Sequence, residues 1–234
     1  DLYEKEERLG GTLWAAGMPT FKHDVLKLIT YLERQCLKTG VNVYLNTEFT
    51  LKDAKKDYDK VILSAGSSPM MPPIPGIEKA GFVSEFLTDR KEAGKQIVII
   101  GGGLAGCEAA CYLKENAETV TIIEMQEDIL FGCDHCLNND QALRQMLQDN
   151  NINKITKATV TKIEDNRVTY LQDNQEYTIV CDTIINAAGF KPNDQLEDAL
   201  GEIYDDVTVI GDAKAPRKIL TAIHEGYHAI RVME

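Results

Sequence analysis

Apolar residues fall along the chain in short unbroken runs separated by glycines and polar turns, and one run organises the rest. Lys95-Gln96-Ile97-Val98-Ile99-Ile100 has the pattern of a strand buried on both faces. Gly101-Gly102-Gly103-Leu104-Ala105-Gly106 follows directly, then a helical stretch to about Asn116, then a second apolar run from Thr119 that ends at Glu124. Strand, turn, helix and strand together span about 30 residues, the size of a nucleotide-binding βαβ unit. Apolar positions 137, 142, 143, 146 and 147 predict an amphipathic helix over Leu137–Gln148. Ala158–Ile163, Arg167–Leu171 and Glu176–Val180 are strand-like runs separated by Asp165-Asn166 and Asp173-Asn174, which predicts an antiparallel meander. Thr183–Asn186 predicts another buried strand, running into Ala187-Ala188-Gly189.

The flanks follow the same grammar. A helix is expected from His23 to Lys38, a strand at Val41–Leu45, and a buried strand at Lys60–Ser64 that opens into Ala65-Gly66-Ser67-Ser68-Pro69. Prolines at 69, 72, 73 and 75 mark an ordered loop or linker. Near the end, Val207–Ile210 predicts a strand, Gly211-Asp212 a turn and Ile219–Val232 a helix. Strand followed by Ala-Gly occurs at residue 66 and again at 189, a weak internal duplication. The expected organisation is a central nucleotide-binding domain, about 89–191, inserted into a second domain made from 1–88 and 192–234.

Composition narrows the partners. Of 234 residues, 44% are apolar and 26% charged, an ordinary globular mix. Asp plus Glu total 37 against 25 Lys plus Arg, a net charge of −12, which argues against a nucleic-acid or anionic-membrane partner. No apolar run approaches the ~18 residues of a membrane helix, and the first residues are charged rather than a signal core. Six cysteines, at 36, 107, 111, 133, 136 and 181, are too few and scattered for a disulfide scaffold. A soluble, cytoplasmic protein is expected. The chain begins with Asp, and its first three residues read as the end of a strand, so a piece excised from a longer polypeptide is expected.

The glycine loop carries the sharpest chemistry. Gly101 permits the tight turn, Gly103 lets the backbone approach a pyrophosphate, and Gly106 allows close helix–strand packing. The helix opening near Leu104 and Ala105 points its amides and positive dipole end at phosphate. Glu124, 18 residues beyond Gly106, is placed to accept hydrogen bonds from a ribose 2′-hydroxyl and to repel a 2′-phosphate, so NADH is expected over NADPH. Leu2-Tyr3-Glu4-Lys5 reads as another second strand with Glu4 in the role of Glu124, and Gly10-Gly11 offers bare backbone near a cofactor. A solvated charge and an ordinary turn explain the same residues. Asp212 at a strand end precedes a helix, a place for a cofactor hydroxyl or for a capping Asp.

Taken in order, these pieces resemble the flavoprotein reductases with two dinucleotide-binding domains. They are most similar to the reductase portion of the 2-enoate reductase, 2,4-dienoyl-CoA reductase and trimethylamine dehydrogenase family. The likeness rests on Tyr3-Glu4-Lys5, Leu9-Gly10-Gly11, Val61–Pro69, Ile97–Glu124, and Ile210-Gly211-Asp212 through Pro216–Ile219 and Ala222–Gly226. It implies an α/β fold in which an NAD(P)-binding Rossmann-like domain is inserted in an FAD-binding Rossmann-like domain. NADH would be held by Gly101, Gly103, Leu104, Ala105, Gly106 and Glu124, with Gly189 closing that domain. FAD would be held by Glu4 at the adenosine ribose, Gly10-Gly11 at the pyrophosphate, Thr47-Glu48 at the adenine and Ala65-Gly66 close to the cofactor. Gly211-Asp212 would take the ribityl–phosphate portion, with the helix from Ile219 beneath the isoalloxazine.

In that family electrons pass from NADH to FAD, then through an iron–sulfur cluster to FMN in a barrel that reduces an activated alkene. The outer domain's own strand–GxGxxG–helix is missing here, about 30 residues by the spacing of the unit. The resemblance therefore implies an incomplete flavin domain, FAD held poorly or not at all by this chain alone, and a barrel, FMN and cluster expected in the missing part. Two alternatives stand beside the electron-input reading: a pyridine-nucleotide–disulfide reductase, and an electron-passive ADP-binding module.

Weaker signals receive plainer readings. Cys133-Asp134-His135-Cys136 is a CxxC that follows the glycine loop and lacks a second ligand pair, so incidental thiols are expected. Cys107 and Cys111 are read as small packing residues, and His224 and His228 as packing or interface residues rather than a metal pair. No residue is assigned a catalytic or metal-binding role.

Overall fold

Gln96–Ile100 forms the middle of a five-stranded parallel sheet. It lies between Thr183–Asn186 and Thr119–Ile123, with Gly81–Phe82 and Asn153–Ile155 at the two edges. The register sets Ile99 beside Ile185 on one side and Ile122 on the other. A central strand between two neighbours and two covering layers exposes neither face, which is why its sequence is a β-branched run rather than an alternation. The computed structural model describes residues 1–54, 58–133 and 137–231.

The chain divides into two units. One comprises Leu13–Lys27 and Pro69–Gly189, the other Asp1–Thr12, Leu28–Ser68 and Phe190–Glu234. In the first, one sheet face is covered by an antiparallel meander of Ala158–Glu164, Arg167–Gln172 and Gln175–Val180. Val98, Ile100, Ile123 and Ile184 pack there with Val160, Ile163, Val168 and Tyr170. Asn166, Asp173 and Asn174 turn the meander with φ between 51 and 60°, the left-handed region Asn and Asp tolerate. Leu104–Leu113 packs on Gln96–Ile100 and Thr119–Ile123, and Leu137–Asp149 packs on that helix. Its Cys107, Ala109 and Ala110 are fully buried, small side chains that bring the helix close to the sheet.

The observed division differs from the expected one at two places, and residues 13–27 as well as 69–88 lie in the unit of the central sheet. The proline-rich segment reads as a linker that would leave residues 69–88 with the flanking domain, whereas they belong to the same unit as the central sheet. Gly81–Phe82 supplies that sheet's fifth strand, and Ile77, Ala80, Phe86 and Leu87 are buried. A two-residue strand is too short to show a periodicity.

The second unit holds two separate two-stranded parallel ribbons. Leu2–Tyr3 pairs with Val43–Tyr44, and Val61–Leu63 with Val207–Val209. Leu63, Leu200 and Tyr204 form its core with Phe49, Val61, Val207 and Val209 packed around them. Leu200 lies in a five-residue helix, Glu197–Gly201, that is too short to read from sequence. The unit closes with Ile219–Arg231. Among the described residues no helix is long and apolar enough to cross a membrane.

Candidate functional site

The glycine loop is shaped by what its neighbours leave no room for. Gly101 adopts φ 109°, and a Cβ there would lie 2.5 Å from the Ala187 carbonyl oxygen. A Cβ on Gly106 would lie 2.1 Å from the Gly101 carbonyl oxygen, so this glycine lets the first helical turn close on the strand end. Gly103 faces open space, with nothing within 4 Å of a Cβ, and Gly189, at φ 107°, does as well. Leu104, Ala105 and Gly106 form the first turn of Leu104–Leu113, whose amides have no carbonyl one turn back to meet. Open space in front of helix N-terminal amides is what a pyrophosphate requires, so the loop fits a dinucleotide.

Glu124 is buried at the end of Thr119–Ile123 and is wired into the loop. Its Oε2 accepts the Gly102 N–H at 2.6 Å and its Oε1 the Gln126 N–H at 2.7 Å. The middle glycine, which the sequence motif leaves free to vary, is therefore constrained too. A Cβ on Gly102 would lie 3.1 Å from both Glu124 Cβ and Ile129 Cγ2. Asn186, at the end of Thr183–Asn186, is buried and shapes the turn to Gly189. Its Oδ1 accepts the Ala188 N–H at 3.0 Å and its Nδ2 donates to the Met70 carbonyl at 2.9 Å. Sequence reasoning missed Asn186; a polar residue closing an apolar strand run is the signal that marked it.

Glu4 repeats the bonding of Glu124 in the other unit. Its N–H donates to Tyr44 O at 2.9 Å, as that of Glu124 donates to Ile155 O at 2.8 Å. Its carbonyl accepts the Thr47 N–H at 2.9 Å, as that of Glu124 accepts the Ala158 N–H at 3.0 Å. Its Oε1 accepts the N–H two residues on, Glu6, at 2.9 Å, as Glu124 does from Gln126. The second oxygen of Glu4 has no donor among the described residues. Thr47 is thereby set beside Glu4, exposed Glu48 follows it, and Gly10 and Gly11 turn with φ of 112 and 48°.

Gly211 and Asp212 stand at the end of Val207–Val209, one turn before Ile219–Arg231. The Asp212 carboxylate accepts the Ser67 hydroxyl at 3.2 Å and the Arg217 N–H at 3.1 Å, which brings the segment after Ala65-Gly66 to it. Gly211, at φ 62°, donates its N–H to Glu225 Oε2 at 2.7 Å, and Arg217 pairs with the other Glu225 oxygen. The Gly211 amide first, with Arg217 and Lys214 adding to it, holds the Glu225 carboxyl below its ordinary value of 4.5 against desolvation. A depressed acid stabilises this turn above its ordinary value and loses that contribution as pH falls through the folded value below 4.5. The Gly211 amide resonance is therefore expected to titrate in that acidic window and to stop doing so in Glu225→Gln. A titration unchanged by the substitution would place its origin elsewhere.

Over residues 14–221 the chain matches the model of the pyridine nucleotide-disulphide oxidoreductases. The chain belongs to that family. The chain is 32% identical to cinnamate reductase of Clostridium sporogenes over 232 residues, covering 98% of this chain and 35% of that protein. It is 33% identical to an NADH oxidase of Thermoanaerobacter brockii over 237 residues, covering 97% and 36%. Its fold matches 2-naphthoyl-CoA reductase, solved with 2-naphthoyl-CoA, with a TM-score of 0.88 and 29% identity, covering 97% of this chain and 35% of that one. The chain thus spans about a third of the length of these relatives. They bear out the resemblance to enoate-reductase-type flavoproteins and the α/β, Rossmann-like FAD/NAD(P)-binding fold.

Cys107 and Cys111 are buried on the helix Leu104–Leu113. Burial pushes the Cys107 thiol far up and the Cys111 thiol up to about 11, which leaves both protonated and inert. Asp134, His135 and Cys136 lie outside the described residues. His224 and His228 line a groove of about 410 Å³ beside Val209 and Glu225. Among the described residues no group of three His, Cys, Asp or Glu is arranged for a metal ion.

Proposed function

We propose that the chain is the electron-input part of an NADH-dependent flavin oxidoreductase of the enoate-reductase type, with NADH held by the unit of the central sheet. The observation that carries this reading is the loop from Gly101 to Gly106 with Glu124 bonded to its middle amide. Phosphate would lie on the first-turn amides of Leu104, Ala105 and Gly106, in the space left by Gly103. Glu124, its geometry fixed by two amides, has lone pairs left for a ribose diol, and its buried charge disfavours a 2′-phosphate. Gly189 offers bare backbone at the other side of the turn from Gly101.

The same reading assigns the second unit to FAD. Its ribbons match the outer pairs of the complete sheet: Leu2–Tyr3 with Val43–Tyr44 corresponds to Thr119–Ile123 with Asn153–Ile155. Val61–Leu63 with Val207–Val209 corresponds to Thr183–Asn186 with Gly81–Phe82. The counterpart of Gln96–Ile100 and its glycine loop has no match among the described residues. Two-stranded ribbons are marginal by themselves, which supports a flavin domain completed by a strand–loop–helix supplied by a longer polypeptide. Glu4, Gly10, Gly11, Thr47, Glu48, Ala65, Gly66, Gly211, Asp212 and Ile219 would contribute to that site. The cofactors supply the hydride chemistry, from nicotinamide to flavin. The chain's residues bind and orient them, and the alkene-reducing barrel with its FMN and iron–sulfur cluster belongs to the rest of the polypeptide.

Calorimetric titration of the chain with NADH, NADPH, ADP and FAD separately tests this. Saturable NADH binding, with NADPH weaker, is expected. ADP binding without any contribution from the nicotinamide half would instead favour a passive nucleotide module.

A further inference from the structure

Behind the glycine loop stands a turn held in an unfavourable conformation. Leu130 is fully buried and adopts φ 59°, the left-handed region that a residue with a Cβ avoids. Its N–H donates to the Gly102 carbonyl at 2.7 Å, which also accepts the Cys107 thiol at 3.3 Å. The carbonyl of the same peptide, Ile129 O, accepts Arg144 Nη2 at 2.9 Å. Arg144 is fixed by two carboxylates, Nη1 on Asp128 at 2.9 Å and Nε on Asp140 at 2.8 Å, and Asp128 also accepts the Ile129 N–H at 2.8 Å.

We propose that Arg144 is a positioning residue for the dinucleotide loop, acting through the Ile129–Leu130 peptide. The guanidinium on the carbonyl side polarises that peptide and strengthens its N–H toward Gly102. It also opposes the peptide flip that would relieve Leu130. After a flip the N–H would leave Gly102, whose backbone would keep Glu124 and the Cys107 thiol as partners. Ile129 Cγ2 lies 3.1 Å from where a Gly102 Cβ would stand, so the turn sits close beside the loop, and the Leu130 N–H on the Gly102 carbonyl couples the two. The ion pair with Asp128 contributes little stability by itself, since Asp128 is half exposed, whereas Asp140 is more shielded. The role of both pairs is to aim the guanidinium.

The affinity arm of the test rests on the NADH reading above; the exchange arm does not. In Arg144→Met, NADH and ADP-ribose are expected to bind about tenfold more weakly, as for loss of one charged hydrogen bond, while adenosine, which carries no pyrophosphate, changes little. Without ligand, the Gly102 and Leu130 amides are expected to exchange about tenfold faster with deuterium. Asp140→Asn, which keeps the arginine but loosens its aim, is expected to show the same pattern at smaller amplitude. Equal losses for adenosine and ADP-ribose would mark a merely structural role and overturn the proposal. So would unchanged affinity with unchanged exchange. If the unsubstituted chain does not bind NADH, the proposed function fails, and unchanged Gly102 and Leu130 exchange in Arg144→Met would still refute the clamp.

Discussion

Gly106→Ala and Gly103→Ala are expected to fail in different ways. A Cβ on Gly106 would stand 2.1 Å from the Gly101 carbonyl oxygen and 3.3 Å from Ala187 Cβ, so backbone has to move. The helix Leu104–Leu113 would be pushed off the strand end, at a cost of about 2–4 kcal/mol in stability. NADH affinity is expected to fall with it by about 100-fold or more, since the phosphate-facing amides move with the helix. A Cβ on Gly103 meets nothing within 4 Å and its φ is −72°, so folding is expected to be unchanged within about 0.5 kcal/mol. The methyl group would instead occupy the space in which phosphate approaches, and NADH is expected to weaken about tenfold or more. Thermal unfolding and calorimetry on both variants, with Gly201→Ala as an unhindered control, separate the two mechanisms. Normal NADH binding by a folded Gly103→Ala would remove the pyrophosphate from this loop.

Glu124→Ala is expected to cost both binding and discrimination. The carboxylate accepts two backbone amides at 2.6 and 2.7 Å in a buried position, and alanine leaves both without their acceptor. Each stranded amide costs about 1–3 kcal/mol, so the loop is expected to loosen and NADH to weaken by about 100-fold. NADPH is expected to gain relative to NADH, because the charge facing its 2′-phosphate has gone. The ratio of the two dissociation constants is the decisive measurement, since loop loosening affects both alike and cancels in it. A preference for NADH that survives the substitution would move the discrimination to another residue.

Much of the central unit was legible. The buried strand, the glycine loop, the meander with its Asp-Asn turns and the long helix after residue 136 were each found within a few residues of their expected bounds. These elements declare themselves through local periodicity or through turns that few residue types tolerate. The two-residue strand Gly81–Phe82, the helix Glu197–Gly201 and the division near residue 69 were not legible, because a segment shorter than one period carries no pattern.

The candidate sites divide along the same line. Gly101, Gly103, Gly106 and Glu124 lie within one continuous βαβ stretch, where the glycine spacing and the acidic strand end show as a local pattern, although Ala187, against which Gly101 packs, is distant in sequence. Sequence alone therefore determined the glycine loop, its acidic strand end and the α/β character of the fold. Tertiary structure decided the rest. Asn186 meets Met70 across 116 positions and Ser67 meets Asp212 across 145. Arg144 reaches Ile129 and Glu225 reaches Gly211 from helices that, in sequence, show ordinary solvated charges. A polar side chain looks the same in a sequence whether it meets water or a distant backbone amide. Folding alone chooses the partner, because the geometry of a hydrogen bond is satisfied in space and leaves no period along the chain.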